Sequence, residues 1–210
     1  IGTGSSGIQS IPLIAEEAAQ VTVFQRTPNF SVPAHNGAVS AEKAAPLLAD
    51  RDKYRHDAKY STGGIPAERT TLLGVMATPE ERRERFEAAW AKGELFEILG
   101  IFADQATNPE SNEIVAEMIR EKIRGIVKDP KTAELLSPVN HPFGTKRPCL
   151  DTNYYATYNQ PHVRLVDLRA NPISTITETG IDFGSEHGEF DAIVYALSLI
   201  HISEPTRRRG

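Results

Sequence analysis

The chain of 210 residues has a single cysteine, Cys149, so it can form neither an internal disulfide nor a CxxC metal motif. A reducing, cytoplasmic setting is the corresponding expectation. No apolar run approaches the ~20 residues a bilayer-spanning helix needs, and no charged, signal-like segment opens the sequence. A strong positive charge is also missing. The formal net charge is −5, so no basic field is there to attract nucleic acid. The six histidines, His35, His56, His141, His162, His187 and His201, show no HxxxH or HExxH spacing, so no metal site is expected. There is no GxSxG nucleophile elbow either. With 40% hydrophobic and 24% charged residues, a soluble globular protein without a membrane partner is expected.

The sequence opens on Ile-Gly-Thr-Gly without the strand that should precede such a turn, and residues 198–210 have no amphipathic period. The expectation is a chain truncated at both ends. Its last thirteen residues are expected to be a non-native tail, of the kind a translated sequencing adapter produces.

Between the ends, the pattern is that of an α/β protein. Gly2 to Gln20 reads as a turn and a helix, with Ile8, Ile11, Ala15 and Ala18 at helical spacing and Pro12 bending it. Gln20 to Gln25 is a β-rich strand, and Pro28 to Asn36 a loop. Thr78-Pro79-Glu80-Glu81 combines an N-cap, a first-turn proline and a capping-box glutamate, so a helix starts there. Val115, Met118, Ile119, Ile123, Ile126 and Val127 form a second helical stripe. Asp129-Pro130 starts a short helix. Strands resume at Val163 to Leu168, in a hairpin about Thr179-Gly180, and at Phe190 to Ala196, apolar enough to be central in a sheet. The expected plan is an α/β, Rossmann-like domain in two parts, residues 1–36 and 138–197, interrupted by a helical insertion over 37–137.

Gly2-Thr3-Gly4-Ser5-Ser6-Gly7 is a GxGxxG motif. The first glycine permits a tight turn, the second lets a pyrophosphate approach the backbone, and the third allows close packing of helix on strand. The helix N-terminus that follows favours an anion. An NAD site usually carries Asp or Glu about 20 residues further on, to bind the ribose 2′-hydroxyl. Here Arg26 and Thr27 stand instead, and a cation beside a hydroxyl suits a 2′-phosphate. On the residues alone, Arg26 also reads as a solvated surface side chain, and Lys146-Arg147 as a solvated basic pair.

Gly2 to Gln9, together with Phe24-Gln-Arg-Thr-Pro-Asn29, resembles the NADPH-binding segment of Baeyer–Villiger monooxygenases. Phe102-Ala-Asp104, Ile119 to Arg124, Val127 to Pro130, Thr145 to Asp151, Tyr154-Tyr155, Tyr158-Asn159, Val163 to Ile173 and Phe190 to Ala196 agree in order. The resemblance implies an enzyme that uses NADPH, FAD and O2 to insert one oxygen atom beside a ketone carbonyl, giving an ester or lactone. It implies that Gly2, Thr3, Gly4, Ser5, Ser6, Gly7 and Gln9 hold the NADPH pyrophosphate. Lys146 would join Arg26 and Thr27 at the 2′-phosphate. Arg147 would be the catalytic arginine beside the flavin, where a guanidinium holds developing negative charge.

Two departures matter. The family's FAD-binding GxGxxG and its FxGxxxHxxxW signature are both missing from this sequence. FAD would therefore be bound mainly by a domain outside this chain, and the chain alone is expected to be inactive. Two alternatives stay open: a flavin monooxygenase oxidising nitrogen or sulfur in soft nucleophiles, and a non-catalytic NADPH-binding module.

Overall fold

A computed structural model describes residues 1–35, 37–61, 64 and 70–196. The tail expected over 198–210 lies outside the described residues. The chain folds as two compact units. One comprises residues 1–33 and 115–196; the other comprises the described residues of 34–114.

The first unit begins with the glycine turn and helix α1, Ser5–Glu17. Ile8, Ile11 and Ala15 are buried at the spacing that the sequence shows, and Pro12 lies buried within the helix. Strand β1, Val21–Gln25, follows. The short strands β2, Ser31–Pro33, and β3, Cys149–Asp151, pair in parallel. Residues 28–36, expected as one loop, thus contain a strand. Three residues are too few to show an alternating pattern in a sequence, so this pairing is visible only in three dimensions. A single turn of helix, α8, covers Tyr154–Thr157, and α1 packs on both α8 and β3.

Strand β4, Val163–Asp167, pairs in parallel with β1 from Val21↔Val163 to Gln25↔Asp167. The predicted hairpin forms as β5, Ile173–Ile176, and β6, Gly180–Phe183, and an unpredicted third strand, β7, Glu186–Glu189, completes an antiparallel meander. Phe24, Val166, Ile181 and Phe183 form a buried cluster, with the Phe24 and Phe183 rings edge-to-face at 5.0 Å.

Residues 190–196 do not form the central strand that their apolarity suggested. They run beside Ile1 through two bonds, Ile1 N to Val194 O (2.7 Å) and Ala196 N to Ile1 O (2.8 Å). Val194 and Tyr195 remain 51% exposed. A strand is buried by its neighbours; here the backbone bonds are those to Ile1 and one from Phe190 N to Thr179 O (3.0 Å), too few to make a ladder.

The second unit is helical: α2, Ala41–Ala49; α3, Arg51–Tyr60; α4, Pro79–Lys92; and α5, Leu95–Leu99. Helix α4 starts as its sequence dictates. Thr78 Oγ1 accepts from Glu81 N (3.2 Å) while Glu81 Oε2 accepts from Thr78 N (2.8 Å). Gly93 ends it at φ 67°, the left-handed conformation that favours glycine. Phe86, Ile98, Ile101 and Phe102 are buried in this unit.

Helix α6, Pro109–Ile126, buries Val115, Met118, Ile119 and Ile123, whereas Ile126 is exposed at its end. From Val115 onward it belongs to the first unit, as does α7, Pro130–Leu136. The sequence grouped 115–137 with the insertion because they are helical. Their bonds lie elsewhere: Arg120 Nη1 to Pro138 O (3.2 Å), Asn159 Nδ2 to Ile126 O (2.8 Å) and Gln25 Nε2 to Leu135 O (2.7 Å).

Candidate functional site

The glycine turn is built by two constraints and one open space. Gly2 has φ 103°, where other residues are strained, and its N–H donates to Phe24 O at 3.0 Å. A Cβ on Gly7 would lie 2.3 Å from Gly2 O, so the helix's first turn can fold back on the loop only with glycine there. Gly4 differs. It is the N-cap of α1 at φ −85°, and a Cβ on it would meet nothing within 4 Å. The protein's own packing does not require that glycine, and the space beside it is open.

Helix α1 has no side-chain N-cap bond and no acidic residue in its first turn. Its leading N–H groups thus keep their partial positive charge, with Ser5 and Ser6 exposed beside them. Thr3 is buried, and its hydroxyl donates to Thr27 O at 3.2 Å. This bond ties the glycine turn directly to the end of β1. Gln9 reaches the other way, its Nε2 donating to Leu150 O at 3.4 Å.

Beyond β1, Arg26 is exposed and Thr27 half-buried. Residues 26–27 follow the carboxyl end of β1, which pairs in parallel with β4, the end at which ligands bind in open α/β sheets. A half-open cleft of about 90 Å³ lies at this end, lined by Gln25, Arg26, Pro28, Asn140, Asp167 and Arg169 among others.

Lys146 and Arg147 are exposed on the loop before β3. Asn29 holds that loop: its Nδ2 donates to Arg147 O at 3.1 Å and lies 3.3 Å from Cys149 Sγ. The Cys149 thiol is pushed up by burial, against hydrogen bonds with Asn29 and Ser5. His141 is pushed below its ordinary value by burial, then by the charge of Lys146. So residues 27–29 join the glycine turn at one end and the Lys146-Arg147 loop at the other. Among the described residues no hydrogen bond joins Lys146 to Thr27; Arg169 stands there, its Nη2 3.5 Å from Thr27 Oγ1.

Sequence reasoning missed Arg169, Asn29 and a buried polar network behind the site. Ser31 donates its hydroxyl to Asp151 Oδ2 and its N–H to the Tyr155 hydroxyl (3.2 Å). Tyr154 N donates to Asp151 Oδ1 (3.1 Å), and Tyr158 donates its hydroxyl to that of Tyr154 (3.0 Å). Burial holds the Asp151 carboxyl above its ordinary value and raises all three tyrosines. These groups pin β2 to β3 and so fix the loop carrying Arg147. Asp151 is a structural acceptor here. Asp104 is another, receiving Gly74 N, Asn108 Nδ2 and Ser111 Oγ.

The donor set fits a phosphorylated dinucleotide: an uncapped helix N-terminus, open space over Gly4, and a cation and hydroxyl at the end of β1.

No protein-family model matches the chain. It is 40% identical over 199 residues to 2-oxo-Δ3-4,5,5-trimethylcyclopentenylacetyl-CoA monooxygenase of Pseudomonas putida, covering 95% of this chain and 36% of that protein. It is 40% identical over 202 residues to a Baeyer–Villiger monooxygenase of Pseudooceanicola batsensis, with the same coverage. A phenazine N-monooxygenase of Lysobacter antibioticus is 38% identical, over 95% of this chain and 37% of that protein. Among solved structures, OTEMO in complex with FAD and NADP superposes at a TM-score of 0.86 with 39% identity, over 93% of this chain and 36% of that one. The chain thus spans about a third of the length of the relatives it matches.

Proposed function

We infer that this chain, homologous to the Baeyer–Villiger monooxygenases over about a third of their length, is the NADPH-holding part of such an enzyme. The enzyme would insert one atom of O2 beside a ketone carbonyl, yielding an ester or lactone. The fold reading that goes with it is a Rossmann-like domain whose chain is interrupted by the helices of the second unit.

The observation that carries the reading is the bond from Thr3 to Thr27, which sets the open glycine turn against a cation-and-hydroxyl strand end. The α1 N-terminus, with Gly4, Ser5 and Ser6, would hold the pyrophosphate, and Gly2 and Gly7 shape that turn. Arg26 and Thr27 would hold the 2′-phosphate, with Lys146 adding positive charge. Gln9 supports the site by anchoring Leu150. FAD, bound by residues outside those described, would accept hydride from the nicotinamide and activate O2. Arg147 is placed on an anchored loop with an exposed side chain that has no hydrogen-bond or ion-pair partner among the described residues. Its guanidinium can stabilise negative charge on the reacting oxygens through a planar, multi-donor face.

Calorimetric titration of the purified chain with NADP+ and NAD+ tests the cofactor reading. NADP+ should bind at least about tenfold more tightly, roughly 1.4 kcal/mol. Equal affinities would overturn the assignment. The likeness to a phenazine N-monooxygenase supports a second reading, oxidation at nitrogen. Chromatography of products from a cyclic ketone and from a phenazine, using a holoenzyme that carries this chain, separates the two.

A further inference from the structure

We propose that Arg169 is a specificity-determining residue for the 2′-phosphate, acting as the second cation opposite Arg26; this rests on the NADPH reading above. The parallel ladder places it. Gln25 is paired with Asp167, and Leu168 N donates to Gln25 O at 2.8 Å, so the two chains leave the sheet side by side. Arg169 is two residues beyond the ladder on β4, and Thr27 is two beyond it on β1. Their side chains meet at that level, Arg169 Nη2 to Thr27 Oγ1 at 3.5 Å.

The backbone under Arg169 is held. Its N–H donates to Asp167 Oδ1 (3.0 Å), and Asn171 N donates to Asp167 O (2.9 Å), which closes the turn. The Asp167 carboxylate is therefore engaged with backbone, and it makes no ion pair with Arg169. Neither Arg26 nor Arg169 has an ion-pair partner among the described residues, and both line the same cleft. Both arginines line a cleft that Asp167 and Glu134 also line, and Arg169 is the one that reaches the Thr27 hydroxyl. A 2′-phosphate carries about −1.5 to −2 charges and three acceptor oxygens, enough for both arginines and Thr27. The 3.5 Å contact to Thr27 is long, so a phosphate oxygen can replace it at little cost.

The test measures dissociation constants for NADP+, NAD+ and 2′,5′-ADP with the parent chain, Arg169→Gln, Arg169→Lys and Arg26→Ala, after thermal melts confirm folding. Arg169→Gln should weaken NADP+ and 2′,5′-ADP about tenfold, leave NAD+ within twofold, and flatten the salt dependence of NADP+ binding. Arg169→Lys should recover part of the loss. If Arg26→Ala weakens NADP+ selectively and Arg169→Gln does not, this proposal fails while the NADPH reading survives. If neither variant discriminates between NADP+ and NAD+, the NADPH reading itself fails. Equal loss for all three ligands on Arg169→Gln would make Arg169 a residue of the fold.

Discussion

At the scale of single residues, the three glycines of one motif do different things, and substitution separates them. Gly7→Ala places a methyl group 2.3 Å from Gly2 O, a backbone atom with no rotamer to yield. It should destabilise the protein by about 1–3 kcal/mol, as overpacking does. Gly4→Ala meets nothing within 4 Å and leaves φ at an ordinary −85°. Its stability should change by less than about 0.5 kcal/mol, while NADP+ affinity falls because the methyl group occupies the open space. Chemical denaturation and calorimetric titration of both variants check the pair. A Gly4→Ala protein that binds NADP+ normally would show that the ligand does not approach there.

At the scale of elements, α6 depends on a carboxylate before its first turn. Asp104 gathers Gly74 N (2.8 Å), Ser111 Oγ (2.6 Å) and Asn108 Nδ2 (3.2 Å), so it joins the 70–77 segment to the start of α6. Burial alone would raise its pKa, but the hydrogen bonds from Ser111, Gly74 and Asn108 outweigh that and hold it below its ordinary value. A depressed pKa in the folded state gives stability that is present above the ordinary value and lost as pH falls through the folded one. Asp104→Asn should therefore be less stable than the parent at about pH 6, with the difference shrinking below about pH 4. Urea midpoints at several pH values read this directly. A gap that does not change with pH would assign the loss to shape, not to charge.

At the scale of the whole molecule, the role proposed for Arg147 in oxygen transfer is tested in a holoenzyme with flavin bound. Asn29 fixes its backbone, and Ser31, Asp151 and Tyr155 fix the strand pair on which its loop rests. In a holoenzyme carrying this chain, Arg147→Ala should reduce ester formation by at least about a hundredfold, the scale of losing one oxyanion-stabilising group. NADPH oxidation should continue, its electrons ending in hydrogen peroxide. Arg147→Lys should restore little, because an ammonium lacks the planar fork. Ester by chromatography and peroxide by a coupled assay measure the two fates. Ester formation near the parent rate in Arg147→Ala would return Lys146-Arg147 to a solvated basic pair. Among the described residues no helix is long and apolar enough to cross a membrane.

The sequence by itself determined the elements whose signals are local. The glycine turn, α1, β1 and the cap of α4 follow from neighbouring residues: a conformation only glycine tolerates, an apolar stripe, a Thr–Glu reciprocity. Tertiary structure alone decided what depends on pairing across long stretches of chain. Strands β2 and β3 are three residues each and exist because Ser31 and Cys149, 118 positions apart, are brought level. Residues 190–196 have the composition of a central strand, yet burial is set by neighbours, and the few bonds to Ile1 and Thr179 do not supply it. Helical residues 115–137 look in sequence like the helices before them, because helical period says nothing about which unit a helix packs on. Arg169 went unseen for the same reason: its nearness to Thr27 follows from the β1–β4 register, which no local pattern encodes.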